Sequence, residues 1–159
     1  MIEVTKLSKK FDDTYVLNEV STFFEKGKTN LIIGQSGSGK TVFLKCILGL
    51  FSPESGEIIY NKTPLSKMNS KERTKLRQDM GMVFQGSALF DSMTVEENIA
   101  FPMKMFTNTH TDEIRDRANI VIKRVNLINA NNKLPSEISG GMKKRVAIAR
   151  AIIMYPNYL

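Results

Sequence analysis

The chain holds one cysteine, one histidine and no long apolar run, and each scarcity excludes something. With Cys46 alone there is no partner for a disulfide and too few thiols for a zinc knuckle, so a reducing cytosol is the natural setting. Cys46 stands among Phe43, Leu44, Ile47 and Leu48 and reads as a buried helix residue. His110 lies in the polar stretch TNTHTDE with no ligand partner nearby, which makes it a loop residue rather than a metal or catalytic group. No segment approaches the roughly eighteen consecutive apolar residues of a membrane span, and MIEVTKLSKK lacks the apolar stretch of a signal peptide. The expectation is a polypeptide that does not cross a membrane by itself. The formal charge of +7 is spread along the chain, with Lys143-Lys144-Arg145 as the only dense cluster. No aromatic-interleaved basic stripe is present, so a solvated basic surface is expected and no direct nucleic-acid partner.

What is present suits one compact domain with a proper core, since 42% of the residues are apolar and 25% charged. Short strands are expected at Ile2–Lys6, Val20–Glu25, Asn30–Ile33, Glu57–Tyr60 and Gly81–Phe84, where apolar residues alternate or run together. Helical spacing marks Lys40–Leu50, and Ser70–Gln78 reads as a charged helix. After Gln85 the character turns helical. Thr94-Val-Glu-Glu97 has the pattern of a capping box, Pro102 is expected to interrupt the helix it opens, and Asp112–Leu127 and Met142–Ile153 read as amphipathic helices.

The stretch IIGQSGSGKT, Ile32 to Thr41, is unusually bare. Gly34, Gly39, Lys40 and Thr41 satisfy the spacing G-x-x-x-x-G-K-[ST], between an apolar strand and a helix. A polyphosphate must be wrapped by donors, and consecutive main-chain amides can do this only where side chains do not block them. The residues Gly34, Gln35, Ser36, Gly37, Ser38 and Gly39 would form that wrap, and the helix starting near Lys40 would aim its free amides at the same point. Lys40 would reach the β- and γ-phosphates and the Thr41 hydroxyl would hold Mg²⁺. A second glycine break, Ser139-Gly140-Gly141, opens the last helix. It is either an ordinary N-cap at Ser139 or a second anion site of the same physical type, which could act on one nucleotide if two copies met head to tail.

Three ordered motifs, GQSGSGKT (34 to 41), MVFQ ending at Gln85, and ISGGMKKRVAIARAI (138 to 152), resemble the Walker A loop, Q-loop and signature of the ATP-binding subunits of ABC transporters. FQGSALFDSMTVEENIAFPM (84 to 103), together with Met142 in place of the usual glutamine, is most similar to the branch serving Mce- and Mla-type lipid transporters. The resemblance implies an α/β fold: a P-loop NTPase core with N-terminal antiparallel strands and a helical subdomain. Its parts would be strands and P-loop core over 1–86, the helical subdomain over 87–139, and the signature helix leading back to the core over 140–159. It further implies ATP and Mg as ligands, and Phe11 as the aromatic that stacks on adenine, with Tyr15 close enough to compete. Gln85 would contact Mg²⁺ and the attacking water, and Leu89, Phe90 and Met93 would help receive a membrane subunit. Ser139, Gly140, Gly141 and Met142 would face the nucleotide held by a second copy, although a methionine cannot repeat the hydrogen bonds of a glutamine. The implied partners are transmembrane permease subunits, which would place the protein in the cytoplasm against the inner membrane.

The family pattern continues through a strand ending in the Walker B aspartate, the catalytic glutamate and a switch histidine, and Tyr155-Pro-Asn-Tyr-Leu159 stands where that strand begins. The expectation is a truncated ABC ATPase whose parent hydrolyses ATP and which alone does not. The alternatives are a nucleotide-binding module without turnover and a soluble relative acting on nucleic acid, which only the +7 charge favours.

Overall fold

A break in side-chain alternation shapes the N-terminal sheet. The computed structural model describes residues 1–159. Its first strand, β1 (Ile2–Phe11), buries Ile2 and Val4 and exposes Glu3 and Thr5, as a strand of period 2 does. At Lys6 the backbone takes a φ of 46° and the pairing register shifts, which brings the fully buried Leu7 back to the core side. Alternation read from the residues alone therefore stops at Lys6, whereas the strand runs on to Phe11. β1 pairs antiparallel with β2 (Thr14–Phe24) on one side and β3 (Ser55–Tyr60) on the other, and β3 pairs with the short β4 (Thr63–Pro64). The order is β2-β1-β3-β4. Gly56, with a φ of 87°, lies opposite the bulge, where a Cβ would collide with the Lys6 carbonyl.

Helix α1 (Lys40–Ile47) buries Phe43, Cys46 and Ile47 in the core that also holds Leu7, Leu17, Ile58 and Tyr60. The Tyr60 hydroxyl donates to the Ile47 carbonyl, and the Phe24 and Phe43 rings stand 6.3 Å apart. Cys46 is buried as expected, and burial pushes its thiol pKa up. These elements belong to the first of two compact units, Met1–Lys75. The second is Leu76–Leu159, and the boundary falls within α2 (Ser70–Gln78), a charged helix that buries none of its residues.

Two expected strands do not form. Asn30–Ile33 has no regular structure and no strand partner, and Leu31 and Ile33 are 84% and 80% exposed rather than buried. Residues 81–84 are not a strand either; the pairing there is a parallel bridge between Met80 and Tyr158, with the Gly81 amide donating to the Tyr158 carbonyl. An isolated strand leaves its amides and carbonyls unpaired, so an apolar run becomes a strand only where a neighbouring strand supplies partners.

The second unit is a helical cluster. Thr94 caps α3 (Val95–Phe106) with a complete capping box, its Oγ1 accepting from the Glu97 amide and the Glu97 carboxylate accepting from the Thr94 amide. Pro102 does not interrupt this helix but lies inside it. A proline there costs about 3 kcal/mol, which burial of Val95, Ile99 and Met103 on one face outweighs. α4 (Thr111–Arg124) contributes Ile114, Ala118, Val121 and Ile122 to the same core, with His110 as its exposed N-cap, and α5 (Gly140–Ile152) contributes Val146 and Ala149. Asn98 is the most deeply buried polar residue. Its Oδ1 accepts from the Phe90 amide, and its Nδ2 donates to the carbonyls of Phe90, Met93 and Thr94, which fixes the loop leading into α3.

Asn98→Ala should cost about 3 kcal/mol in urea unfolding, because buried loop groups lose their partner; a loss below about 0.5 kcal/mol would contradict the assigned role. The Lys9 ammonium holds the Glu54 carboxyl, and the Thr94 amide the Glu97 carboxyl, below the usual carboxylate range. Both folded values lie below the unfolded ones, so this stability is complete above the ordinary carboxylate range and is lost as the pH falls through the lowered folded values. The thermal midpoint should drop across that window, and drop less in the double variant Glu54→Gln/Glu97→Gln; an equal drop would refute the assignment.

Candidate functional site

The bare loop keeps its amides free. Gly37 and Gly39 adopt φ values of 82° and 87°, and Gly39 is the N-cap of α1 with no side-chain cap. Ser38 donates to the Gln35 carbonyl at 3.2 Å and Phe43 to the Gly39 carbonyl at 2.8 Å, while the amides of Ser36, Gly37, Gly39, Lys40, Thr41 and Val42 donate to no protein acceptor. Those six amides line the turn and the first turn of α1, where the helix dipole adds its positive end. Only Gly39 is buried within the loop; Gly34 through Ser38 are exposed.

Each glycine here has a specific reason. A Cβ on Gly39 would stand 2.8 Å from the Val16 carbonyl oxygen and 3.1 Å from Leu17, so β2 passes directly against the end of the loop. A Cβ on Gly34 would stand 2.6 Å from the Ser38 Oγ. Gly37 has open space around it but a left-handed backbone that other residues adopt only at a cost.

The Lys40 side chain folds back over the loop, its Nζ donating to the carbonyls of Gly34 at 2.8 Å and Gln35 at 2.6 Å and to the Ser38 Oγ at 3.5 Å. A cation thus sits over the loop whose amides are free, which is the donor set a polyphosphate requires. The exposed Thr41 hydroxyl follows at the start of α1. The set fits a phosphate chain, and a hydroxyl beside it suits a hard divalent cation that prefers oxygen ligands.

The two aromatic candidates share one hairpin end. Phe11 pairs with Thr14 and Lys10 with Tyr15, and both rings are about half exposed. Phe11 meets the Phe51 ring edge-on at 5.6 Å, with the Lys9 Nζ 5.4 Å from its centroid; Tyr15 lies under the Lys10 Nζ at 4.3 Å. β2 carries this hairpin end to within van der Waals reach of Gly39 through Val16.

The other expected residues lie in the second unit. Gln85 is exposed and lies in a turn with Gly86, followed by Ser87 and Ala88 at φ values of 63° and 46°, conformations that cost about 1–3 kcal/mol each. Arg150 of α5 donates to both of their carbonyls at 2.8 Å, a feature the motif spacing does not reveal. Burial lowers the Arg150 pKa from its usual value. Leu89 packs on the helical core, and the Phe90 and Phe101 rings lie 4.6 Å apart. Ser139 is the N-cap of α5, its Oγ accepting from the Met142 amide at 3.2 Å. Gly140 would have nothing within 4 Å of an added Cβ and Gly141 only the Ser139 Oγ at 3.9 Å. Met142 turns its side chain against the helical core.

Residues 17–159 match the family described as ABC transporter. The chain is 39% identical over 158 residues to the probable ribonucleotide transport ATP-binding protein Mkl of Mycobacterium tuberculosis, covering 99% of this chain and 44% of that protein. It is 37% identical over 159 residues to the intermembrane phospholipid transport system ATP-binding protein MlaF of Haemophilus influenzae, covering 100% of this chain and 60% of MlaF. The fold superposes with a TM-score of 0.85, at 32% identity over 98% of this chain and 71% of the other, on the dimeric post-hydrolysis state of the ATP-binding cassette MJ0796 bound to ADP and Pi. The chain therefore spans about half the length of the curated relatives it matches.

Gly39→Ala should lower the unfolding free energy by about 1–3 kcal/mol, from strain at positive φ and the approach to Val16. Gly140→Ala, where the fold leaves open space, should be neutral or slightly stabilising. Equal losses at both positions in denaturant titrations would contradict the geometry described.

Proposed function

Since the chain belongs to the ABC transporter family, we propose that it is the nucleotide-gripping part of a transporter ATPase and binds Mg-ATP at Gly34–Thr41. The observation that carries this reading is the set of free amides at Ser36, Gly37, Gly39, Lys40, Thr41 and Val42, with the Lys40 ammonium folded back onto the Gly34 and Gln35 carbonyls. Gly34, Gln35, Ser36, Gly37, Ser38 and Gly39 supply the wrap, Lys40 the cation, and Phe11 or Tyr15 the stacking surface for adenine. Thr41 and Gln85 are the proposed Mg²⁺ contacts; when bound, the ion neutralises charge on the phosphate oxygens.

Ser139, Gly140 and Gly141 are proposed to meet the nucleotide held by a second copy, in a head-to-tail dimer. Their support is that neither glycine has a positive φ or a crowding neighbour, so the chain's own packing does not demand them. A bare helix start suits an approaching phosphate. The inward-packed Met142 side chain supports a role for its main chain only. The intact protein is proposed to act at the cytoplasmic face of the membrane through permease subunits that contact Leu89, Phe90 and Met93. No helix in the structure is long and apolar enough to cross a membrane.

The proposed cargo is a lipid, supported by the stretch 84–103, by Met142 and by the likeness to MlaF. Transfer of a labelled phospholipid, and not of a ribonucleotide, by the reconstituted intact transporter would support this; the reverse would replace it with the cargo in the name of the Mkl relative.

Titration of this chain with a fluorescent ATP analogue and Mg²⁺ should give saturable binding that Lys40→Ala weakens at least about a hundredfold, the loss of charge-assisted phosphate contacts. Undiminished binding would refute the site. Gly140→Val should leave this binding intact and remove only ATP-dependent self-association, read by sedimentation.

A further inference from the structure

Gln85 and Gly86 form a turn that a single main-chain hydrogen bond closes. Ser87 and Ala88 both stand in the left-handed region without being glycine, and Ser87 is buried. The turn's own main chain contributes one hydrogen bond, from the Ser87 amide to the Phe84 carbonyl at 2.9 Å. The remaining restraint comes from elsewhere. The Arg150 Nη2 donates to the Ser87 carbonyl and its Nη1 to the Ala88 carbonyl, each at 2.8 Å, from a position 62 to 63 residues along the chain. Planar, two-pronged donation of this kind fixes the orientation of both peptide planes, which a single ammonium cannot do.

The downstream half of the same loop has a separate anchor. Asn98 holds Phe90 through both its amide and its carbonyl, and Leu89 packs on the helical core. The two anchors divide the loop between them: Asn98 governs residues 89–94, and Arg150 governs the two residues after Gly86. Arg150 lies in the last turn of α5, whose first turn is capped by Ser139, about three helical turns away. One rigid helix thus carries the glycine break at its start and the grip on the Gln85 turn at its end.

We infer that Arg150 is a positioning residue, which sets the backbone of the Ser87–Ala88 turn and through it the placement of Gln85, and ties that placement to the position of α5. This rests on the reading of Gln85 as part of an ATP site only for its consequence in turnover; the positioning itself needs no nucleotide. Its loss leaves Asn98 and its hydrogen bonds in place, so the effect is local to the turn. Arg150→Lys retains the charge but not the paired geometry and restores part of the restraint.

The test is amide hydrogen exchange on this chain without nucleotide, comparing Arg150→Met and Arg150→Lys with the parent sequence. In Arg150→Met the Ser87 amide, which donates to the Phe84 carbonyl, should exchange at least about tenfold faster, because the turn that this bond closes loses the hold of Arg150 on the Ser87 and Ala88 carbonyls. The Phe90 amide, held by Asn98, and the core amides of α4 should stay within about threefold of the parent. Arg150→Lys should fall between the two at Ser87. An unchanged Ser87 amide, or equal acceleration at Ser87, Phe90 and α4, would overturn the inference, because the second pattern is that of a residue supporting the fold at large. If Arg150→Met does not fold, Arg150→Lys decides alone: selective acceleration at Ser87 supports the inference, and parent-like or uniform exchange overturns it. In the intact protein Arg150→Lys should lower kcat for ATP with KM within about threefold, as for a group that positions rather than binds; a raised KM with kcat unchanged would also count against it. Should the parent bind no ATP at all, the functional reading fails while the exchange result still judges Arg150.

Discussion

The close approach of Gly39 to the Val16 carbonyl is the constraint on which the candidate site depends. No side chain fits between them, and only a residue free to adopt a φ of 87° turns the chain there into α1. That turn leaves the amides of Ser36, Gly37 and residues 39–42 without a protein acceptor, and it sets Lys40 where its ammonium reaches back to the Gly34 and Gln35 carbonyls. The sheet matters to function through this contact. β2 is fixed by β1, β1 is fixed by its bulge and by β3, and so the loop end is located by the packing of Leu7, Leu17 and Ile58. The same strand ends at the hairpin that offers Phe11 and Tyr15. The candidate phosphate loop and Tyr15, one of the two candidate base platforms, thus both adjoin or lie on β2.

The second unit solves a different problem with the same economy of parts. Its loop after Gln85 has no regular hydrogen-bond ladder, so side chains take over: the buried Asn98 from α3 and the half-buried Arg150 from α5. Such groups are costly to bury unless satisfied, and here each finds several carbonyls. The glycines at 140 and 141 have the opposite character. Nothing in the fold requires them, which distinguishes a position kept open for something else from one kept open by its own backbone.

Much of this was legible in the residues. The loop at 34–41 announced itself because its chemistry is local: glycine spacing, a lysine and a hydroxyl in consecutive positions. The capping box at Thr94 and the N-cap at Ser139 were legible for the same reason. What failed depended on partners distant in sequence. The run at Asn30–Ile33 has every mark of a buried strand, yet its side chains stand in solvent because no strand lies beside it. Pro102 looked like a helix break, but packing of α3 on the core overrides a local penalty of about 3 kcal/mol. The bulge at Lys6 hid the second half of β1 by reversing the alternation. Arg150 could not be singled out, since its carbonyl partners carry no side-chain signature and lie 62 and 63 residues away.

The central claim is that the main chain from Ser36 to Val42 is an anion wrap rather than a merely tight turn. Amide chemical shifts of this chain titrated with inorganic tripolyphosphate, which has no base to stack and no ribose, test it most directly. The account predicts saturable shifts concentrated at the amides of Ser36, Gly37, Gly39, Lys40 and Thr41, with little change at Ser38, whose amide is already held by Gln35. Shifts spread over the lysine-rich surface with none selective for the loop would contradict it, and would leave the bare stretch as a turn without a ligand.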